Sequence, residues 1–197
     1  MIETNKVKNI LLCGVGGQGA ILTSKILTEG LILAGYDVKM SEVHGMSQRG
    51  GSVQTQVRFG DRVFSPLFGK GQADVCMAFE RMEALRYAGY LKPDGLFIVN
   101  DYRLTPMSVA AGVASYPENA IEAVSSAFKT IVISAADIAA GLGNVRTMNV
   151  VLLGALVKAL GIEELPGAGW TGIIAAMVPE RLRAVNIEAF LAGLKSV

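Results

Sequence analysis

Residues 9–20 read Asn9-Ile10-Leu11-Leu12-Cys13-Gly14-Val15-Gly16-Gly17-Gln18-Gly19-Ala20, and the segment behind them carries Ile21, Leu22, Ile26, Leu27 and Leu31 at helical spacing. An apolar run without polar alternation is a strand buried on both faces, and the 3.6-residue pattern after the glycines is a helix. The stretch therefore reads as strand, tight glycine turn, helix. Gly14, Gly16 and Gly19 let the chain turn sharply and let a ligand or neighbouring segment approach the main chain. They also leave the first N–H groups of the helix pointing outward as an anion site.

Working outward, residues 34–37 make a turn and 38–43 a second strand. This completes a βαβ unit, for which a right-handed crossover and parallel strands are expected. A dinucleotide site would place an acid at the tip of that strand, about 20 residues past the glycines. Glu42 stands near that place but late, and no second helix comes after it. The chain continues instead with His44-Gly45-Met46-Ser47-Gln48-Arg49-Gly50-Gly51, a polar loop flanked by glycines. It sits at the carboxyl end of a strand, where α/β sheets place ligands. Arg49 has the fork geometry to grip a carboxylate or phosphate. Residues 52–59 then alternate, with Val53, Thr55, Val57 and Phe59 on one face. Gly60-Asp61 reads as a two-residue turn returning through 62–65, an antiparallel hairpin.

Further on, 74–79 and 96–100 are strands, with a helix from Glu80 to about Tyr87 between them. Glu80 and Asp101 stand near successive strand ends and invite an acid/base reading. Carboxylates also favour helix starts, loops and caps, and the reading adopted is Glu80 at a helix start and Asp101 as a loop or cap residue. Residues 115–129 read as a helix, 130–134 as a strand, and 135–142 and 147–160 as helices. The last is apolar nearly all round, so it is buried on several sides, and Gly154 and Ala155 allow a close neighbour. The tail from Trp170 is helical again, with Val185, Phe190, Leu191 and Leu194 as its docking face. No linker divides the chain. The expectation is one domain over 1–197, an α/β, Rossmann-like layered fold. Its mixed sheet has a parallel βαβ start and an antiparallel hairpin at about 52–65, with helices on both faces.

The bulk numbers narrow the function. Apolar residues make up 51% of the 197 and charged ones 18%, with a mean hydropathy of +0.43. That apolar excess calls for cover by another subunit. No uncharged run reaches the roughly 18–20 residues of a spanning helix, and the polar start lacks an apolar signal core, so a membrane role is not expected and the cytoplasm is. A net charge of +1 leaves no footprint for nucleic acid. The two cysteines, Cys13 and Cys76, lie in apolar strands and cannot supply the four thiolates of a cubane cluster. One histidine excludes a multi-histidine metal site.

Taken together, Gly14-Val15-Gly16-Gly17-Gln18-Gly19, the run from Ser41 to Val53 and Val57-Arg58-Phe59-Gly60 resemble the small, gamma-type subunit of the 2-oxoacid:ferredoxin oxidoreductases. The wording His-Gly-Met-Ser-Gln-Arg-Gly-Gly is similar to the indolepyruvate branch, where this chain is called the beta subunit. Ala78-Phe79-Glu80 and Asn144-Val145-Arg146-Thr147-Met148-Asn149 fit the same branch. The resemblance implies oxidative decarboxylation of a 2-oxoacid, an aryl pyruvate such as indolepyruvate, with coenzyme A and ferredoxin. It implies a large partner subunit carrying thiamine diphosphate, magnesium and iron–sulfur clusters, and a chain inert by itself. It assigns His44, Ser47, Gln48 and Arg49 to a loop facing a shared active site. Gly14, Gly16, Gly17, Gln18, Gly19, Gly50 and Gly51 it assigns to holding a phosphate of a cofactor or to close subunit packing. Two other readings stay open on the sequence alone: a self-sufficient NAD-binding oxidoreductase using the glycine turn and Glu42, and a regulatory module binding a nucleotide or acyl-CoA.

Overall fold

The computed structural model describes residues 7–44 and 50–197. Six strands, β1 (Lys8–Val15), β2 (Asp37–His44), β3 (Ser52–Gly60), β4 (Ala73–Ala78), β5 (Leu91–Asn100) and β6 (Lys129–Ile133), form one sheet in the order β2-β3-β1-β4-β5-β6. β1, β4, β5 and β6 pair in parallel, while β3 lies antiparallel between β1 and β2. The sheet is mixed, as the alternation of 52–59 predicts.

Two local expectations change. β1 and β2 run in the same direction, but they do not touch, because β3 is inserted between them. The antiparallel partner of β3 on that side is therefore β2, and residues 62–65 form no strand. The reason is geometric: with β1 on one edge and β2 on the other, β3 has no free N–H and C=O row left for a returning segment.

Side-chain alternation along β1 divides the core in two. Ile10 and Leu12 face a large cluster with α1 (Ala20–Leu33), α5 (Ala135–Gly141), α6 (Met148–Leu160), α7 (Gly169–Met177) and α8 (Arg183–Leu194). Leu11 and Cys13 face a smaller cluster with Cys76, Phe97 and Val99, covered by α2 (Arg81–Tyr87) and α4 (Ala120–Ala127) through Ala84 and Val124. Helices thus cover both faces.

α6 is buried at every position from Asn149 to Val157. The close neighbour that its small residues allow is α8, inside this chain. A Cβ on Gly154 would lie 2.2 Å from the carbonyl oxygen of Phe190, and one on Gly193 would lie 2.0 Å from that of Val151. The docking face of α8 is Asn186, Ala189, Phe190 and Gly193, so Phe190 is buried as expected whereas Leu191 is exposed. α4 begins five residues later than its periodicity suggests. Tyr116 precedes Pro117, which disfavours helical backbone there, and its hydroxyl donates to buried Glu80.

Candidate functional site

β1, β2, β4, β5 and β6 end at one edge of the sheet, and β3 begins there. The glycine turn leaves β1 at this edge, directly beside the start of β3, since Val15 stands opposite Ser52. Gly16 donates its N–H to the carbonyl of Gly51 at 2.8 Å and accepts from the N–H of Gly50 at 3.2 Å. The two glycine-rich stretches singled out by the sequence are thus stitched together by backbone.

Within the turn each residue has a separate task. A Cβ on Gly14 would lie 2.9 Å from Phe79 Cβ, so this glycine serves packing against the strand end at β4. Gln18 closes the turn: its Oε1 accepts from Val15 N–H at 2.7 Å and its Nε2 donates to the Phe79 carbonyl at 3.2 Å. Both ends of that amide are therefore engaged inside the fold. Gly19 has φ +85°, and a Cβ there would meet Asn149 Nδ2 at 2.6 Å. That same Nδ2 donates to the Gly19 carbonyl. Gly17 alone has both a positive φ, +102°, and open space where a side chain would go. The N–H groups of Gly17 and Gly19, with those at the start of α1, have no partner among the described residues. Such groups form an anion-binding terminus.

The turn separates two cavities. The smaller, about 250 Å³, lies between it and the ends of β2 and β3 and includes Glu42, Val43, Val53 and Ile21. The larger, about 850 Å³, runs from Gly17 and Gly19 to Asn144, Arg146 and Asn149 and on to Arg181. Asn144 accepts from Arg146 N–H and caps the short 3-10 turn Val145–Thr147 that leads into α6. Arg146 and Arg181 are exposed, and neither guanidinium has a partner among the described residues. Sequence reading noticed Asn144–Asn149 only as a family-like stretch. Arg181 and Tyr102 at this cleft it missed, because no spacing links them to the glycines. The turn between α7 and α8 brings Arg181 there.

His44 ends β2, paired with Val53, so its backbone stands at the same edge. Ser47, Gln48 and Arg49 lie outside the described residues. Glu42 lines the small cavity, but β3 sets β2 one strand further from the glycine turn than in a dinucleotide-binding βαβ unit.

The other acids are structural. Glu80 is fully buried and caps α2, accepting from the N–H groups of Met82 and Glu83 at 2.6 and 3.1 Å. Its second oxygen accepts from Leu104 N–H and from the Tyr116 hydroxyl. Burial and the bond to Glu80 push the Tyr116 phenol far up, so it stays a donor. Asp101 pairs with Arg81. Neither carboxylate is left for acid/base work: Glu80 caps a helix start as expected, while Asp101 stands in a loop and is held by its ion pair rather than by a cap. Glu83, 1% exposed, accepts from Ser52 and pairs with Arg86, which ties the start of β3 to α2. Cys13 and Cys76 lie with sulfurs 3.9 Å apart, and burial pushes the Cys13 thiol well up, keeping it protonated. No cluster of three or more metal-ligating side chains occurs among the described residues.

Comparison with known proteins fits this architecture. The family model for pyruvate ferredoxin/flavodoxin oxidoreductase matches residues 9–196. An indolepyruvate oxidoreductase subunit IorB from Pyrococcus horikoshii is 42% identical over 195 residues, covering 97% of this chain and 96% of that one. The gamma subunit of a keto/oxoacid ferredoxin oxidoreductase from Geobacter sulfurreducens superimposes with a TM-score of 0.70 at 25% identity, covering 96% and 97% of the two chains. A 2-oxoglutarate:ferredoxin oxidoreductase from Magnetococcus marinus has the same fold, with a TM-score of 0.73 at 20% identity, over 97% of this chain and 31% of its own. There the fold is one part of a longer polypeptide. The chain belongs to the pyruvate ferredoxin/flavodoxin oxidoreductase family, as a subunit of a 2-oxoacid:ferredoxin oxidoreductase.

Proposed function

We propose that this chain is the small subunit of an indolepyruvate-type enzyme and lends its glycine-turn edge to an active site shared with a large companion subunit in the cytoplasm. The reaction is decarboxylation of an aryl pyruvate, with transfer of the acyl group to coenzyme A and of electrons to ferredoxin. In this reading thiamine diphosphate, magnesium and iron–sulfur clusters belong to the companion. The sulfurs of this chain's cysteines number two, both buried, and the chain is inert alone. What supports a direct role at the site is the larger cleft. Unpartnered N–H groups of Gly17 and Gly19 share it with Arg146 and Arg181, the donor set that suits phosphate oxygens. We assign it the phosphate-bearing portion of coenzyme A. A volume of about 850 Å³ falls within the roughly 300–1,000 Å³ of ligand pockets. His44, Ser47, Gln48 and Arg49 are assigned to the face toward the reacting carbons, Arg49 gripping the oxoacid carboxylate.

The assay is steady-state kinetics of the reconstituted complex with Arg146→Ala and Arg181→Ala. Losing one charge-assisted contact costs about 1.5–3 kcal/mol. A rise in KM for coenzyme A of about 10-fold or more is therefore expected, with KM for indolepyruvate unchanged. Arg49→Ala should do the reverse. Equal KM values for coenzyme A in both cleft variants and the parent would remove the cleft from the site.

A further inference from the structure

The smaller cavity holds a feature the reaction does not explain. Glu42 projects from the same face of β2 as Met40, two residues earlier, whose sulfur accepts from Thr28 of α1. Its Oε1 is shielded from solvent and has no hydrogen-bond partner among the described residues. Thr55 stands opposite it in the ladder without bonding to it, and no lysine or arginine lines the cavity among the described residues. A carboxylate oxygen shut away from both water and a donor is costly unless something supplies the missing charge.

Size and walls identify the occupant. About 250 Å³ lies below the range for cofactors and drug-sized ligands, but suits one long side chain. The walls are Val15, Ile21, Val43 and Val53, which suit an aliphatic stem whose charged tip reaches the acid. Ile21 and Val43 are each 46% exposed. Ile21 belongs to α1, on the face of the sheet that Glu42 shares with Met40, whereas Val43 projects from the other face of β2, and the chain has apolar surface to cover.

We infer that the Glu42 cavity is a socket for a lysine or arginine side chain of the companion subunit, which inserts past Ile21 and pairs with the carboxylate. This rests on the subunit reading above. The socket makes the free chain less stable than it could be and makes docking charge-specific. That trade is the signature to look for, since an internal ion pair would show the opposite one.

The test uses Glu42→Gln, nearly isosteric and uncharged. Removing one partner of a buried pair should weaken assembly with the companion subunit about 30-fold or more, read as a dissociation constant by titration. The melting temperature of the free full-length chain should hold or rise, and KM for coenzyme A in the saturated complex should stay unchanged. An unaltered dissociation constant overturns the inference. So does a raised KM for coenzyme A with assembly intact, which would put a ligand in the cavity. A free chain that melts lower would make Glu42 a structural residue and also overturn it. Arg49→Ala, if it weakens assembly equally and adds nothing to Glu42→Gln, would place the cation in this chain and refute the socket. Failure of the parent chain to bind a companion at all would instead sink the subunit reading, and the socket with it.

Discussion

The glycine turn 14–19 and the crossing of α6 over α8 both depend on glycine, for different physical reasons. At the crossing, Gly154 and Gly193 sit in ordinary helical backbone, and what matters is the missing Cβ, whose place is taken by carbonyls of the opposite helix at 2.2 and 2.0 Å. At the turn the reasons divide within three residues. Gly19 is bent and crowded, whereas Gly17 is bent and open. A glycine that faces nothing has been kept for its backbone, and at a strand end that backbone is what a ligand meets. Within the turn, crowding therefore separates the glycines that build the fold from Gly17, whose open side a ligand can meet.

The largest effect should come at the crossing. In an open helix interior Gly→Ala stabilises by about 1 kcal/mol, so a loss at Gly193→Ala reports packing alone. A Cβ 2.0 Å from the Val151 carbonyl has no flexible neighbour to push aside, and the helices must part. Overpacking typically costs about 1–3 kcal/mol and sometimes more. With backbone as the obstacle we expect about 3 kcal/mol, or roughly 6–12 °C of melting temperature for a domain of this size. Gly154→Ala added to it should cost less than the sum, because the first change has already opened the crossing. A melting temperature equal to or above the parent's would mean that the two helices do not cross this tightly.

Gly19→Ala comes next. Its positive φ costs an L-residue about 1–2 kcal/mol. The Asn149 amide must also swing away, giving up its bond to the Gly19 carbonyl for about 1 kcal/mol more. About 2–3 kcal/mol in denaturant unfolding is expected. Asn149→Ala in the same background should recover part of it, by removing the obstacle. No recovery would assign the whole cost to backbone strain.

Legibility in the sequence depends on which interactions are local. The apolar run Ile10–Cys13, the glycines and the helix after them are written in consecutive residues, and the all-apolar stretch of α6 announces its burial on every side. The alternation of 52–59 marks the two faces of β3 correctly but not its neighbours. Pairing is a contact between distant segments, so the insertion of β3 between β1 and β2, and the loss of the strand at 62–65, leave no local mark. The site divides in the same way. The meeting of Gly16 with Gly50 and Gly51 joins two stretches each visible alone. Gln18 reads as a ligand residue, yet its amide closes the turn. Arg181 reaches the cleft from more than one hundred and sixty residues away along the chain, a distance no spacing rule spans. The engagement of Glu83 with Ser52 is equally hidden, since both residues read as ordinary members of a helix and a strand.

Gly17→Ala should have the smallest effect on stability and carries the comparison furthest. Nothing lies within 4 Å of the added Cβ, so only the φ of +102° weighs against it, about 1–2 kcal/mol and roughly 2–8 °C. The methyl would stand where Gly17 borders both cavities, and relief of the strained φ would reorient its N–H. If the turn holds a phosphate, KM for coenzyme A in the assembled enzyme should rise about 10-fold or more, out of proportion to the stability lost, while Gly19→Ala at matched stability raises it less. Equal KM changes in the two variants would mean that loosening the turn, rather than filling its open side, is what the ligand feels. The distinction between crowded and open glycines would then describe packing only, and the phosphate would have to be sought at Arg146 and Arg181 alone.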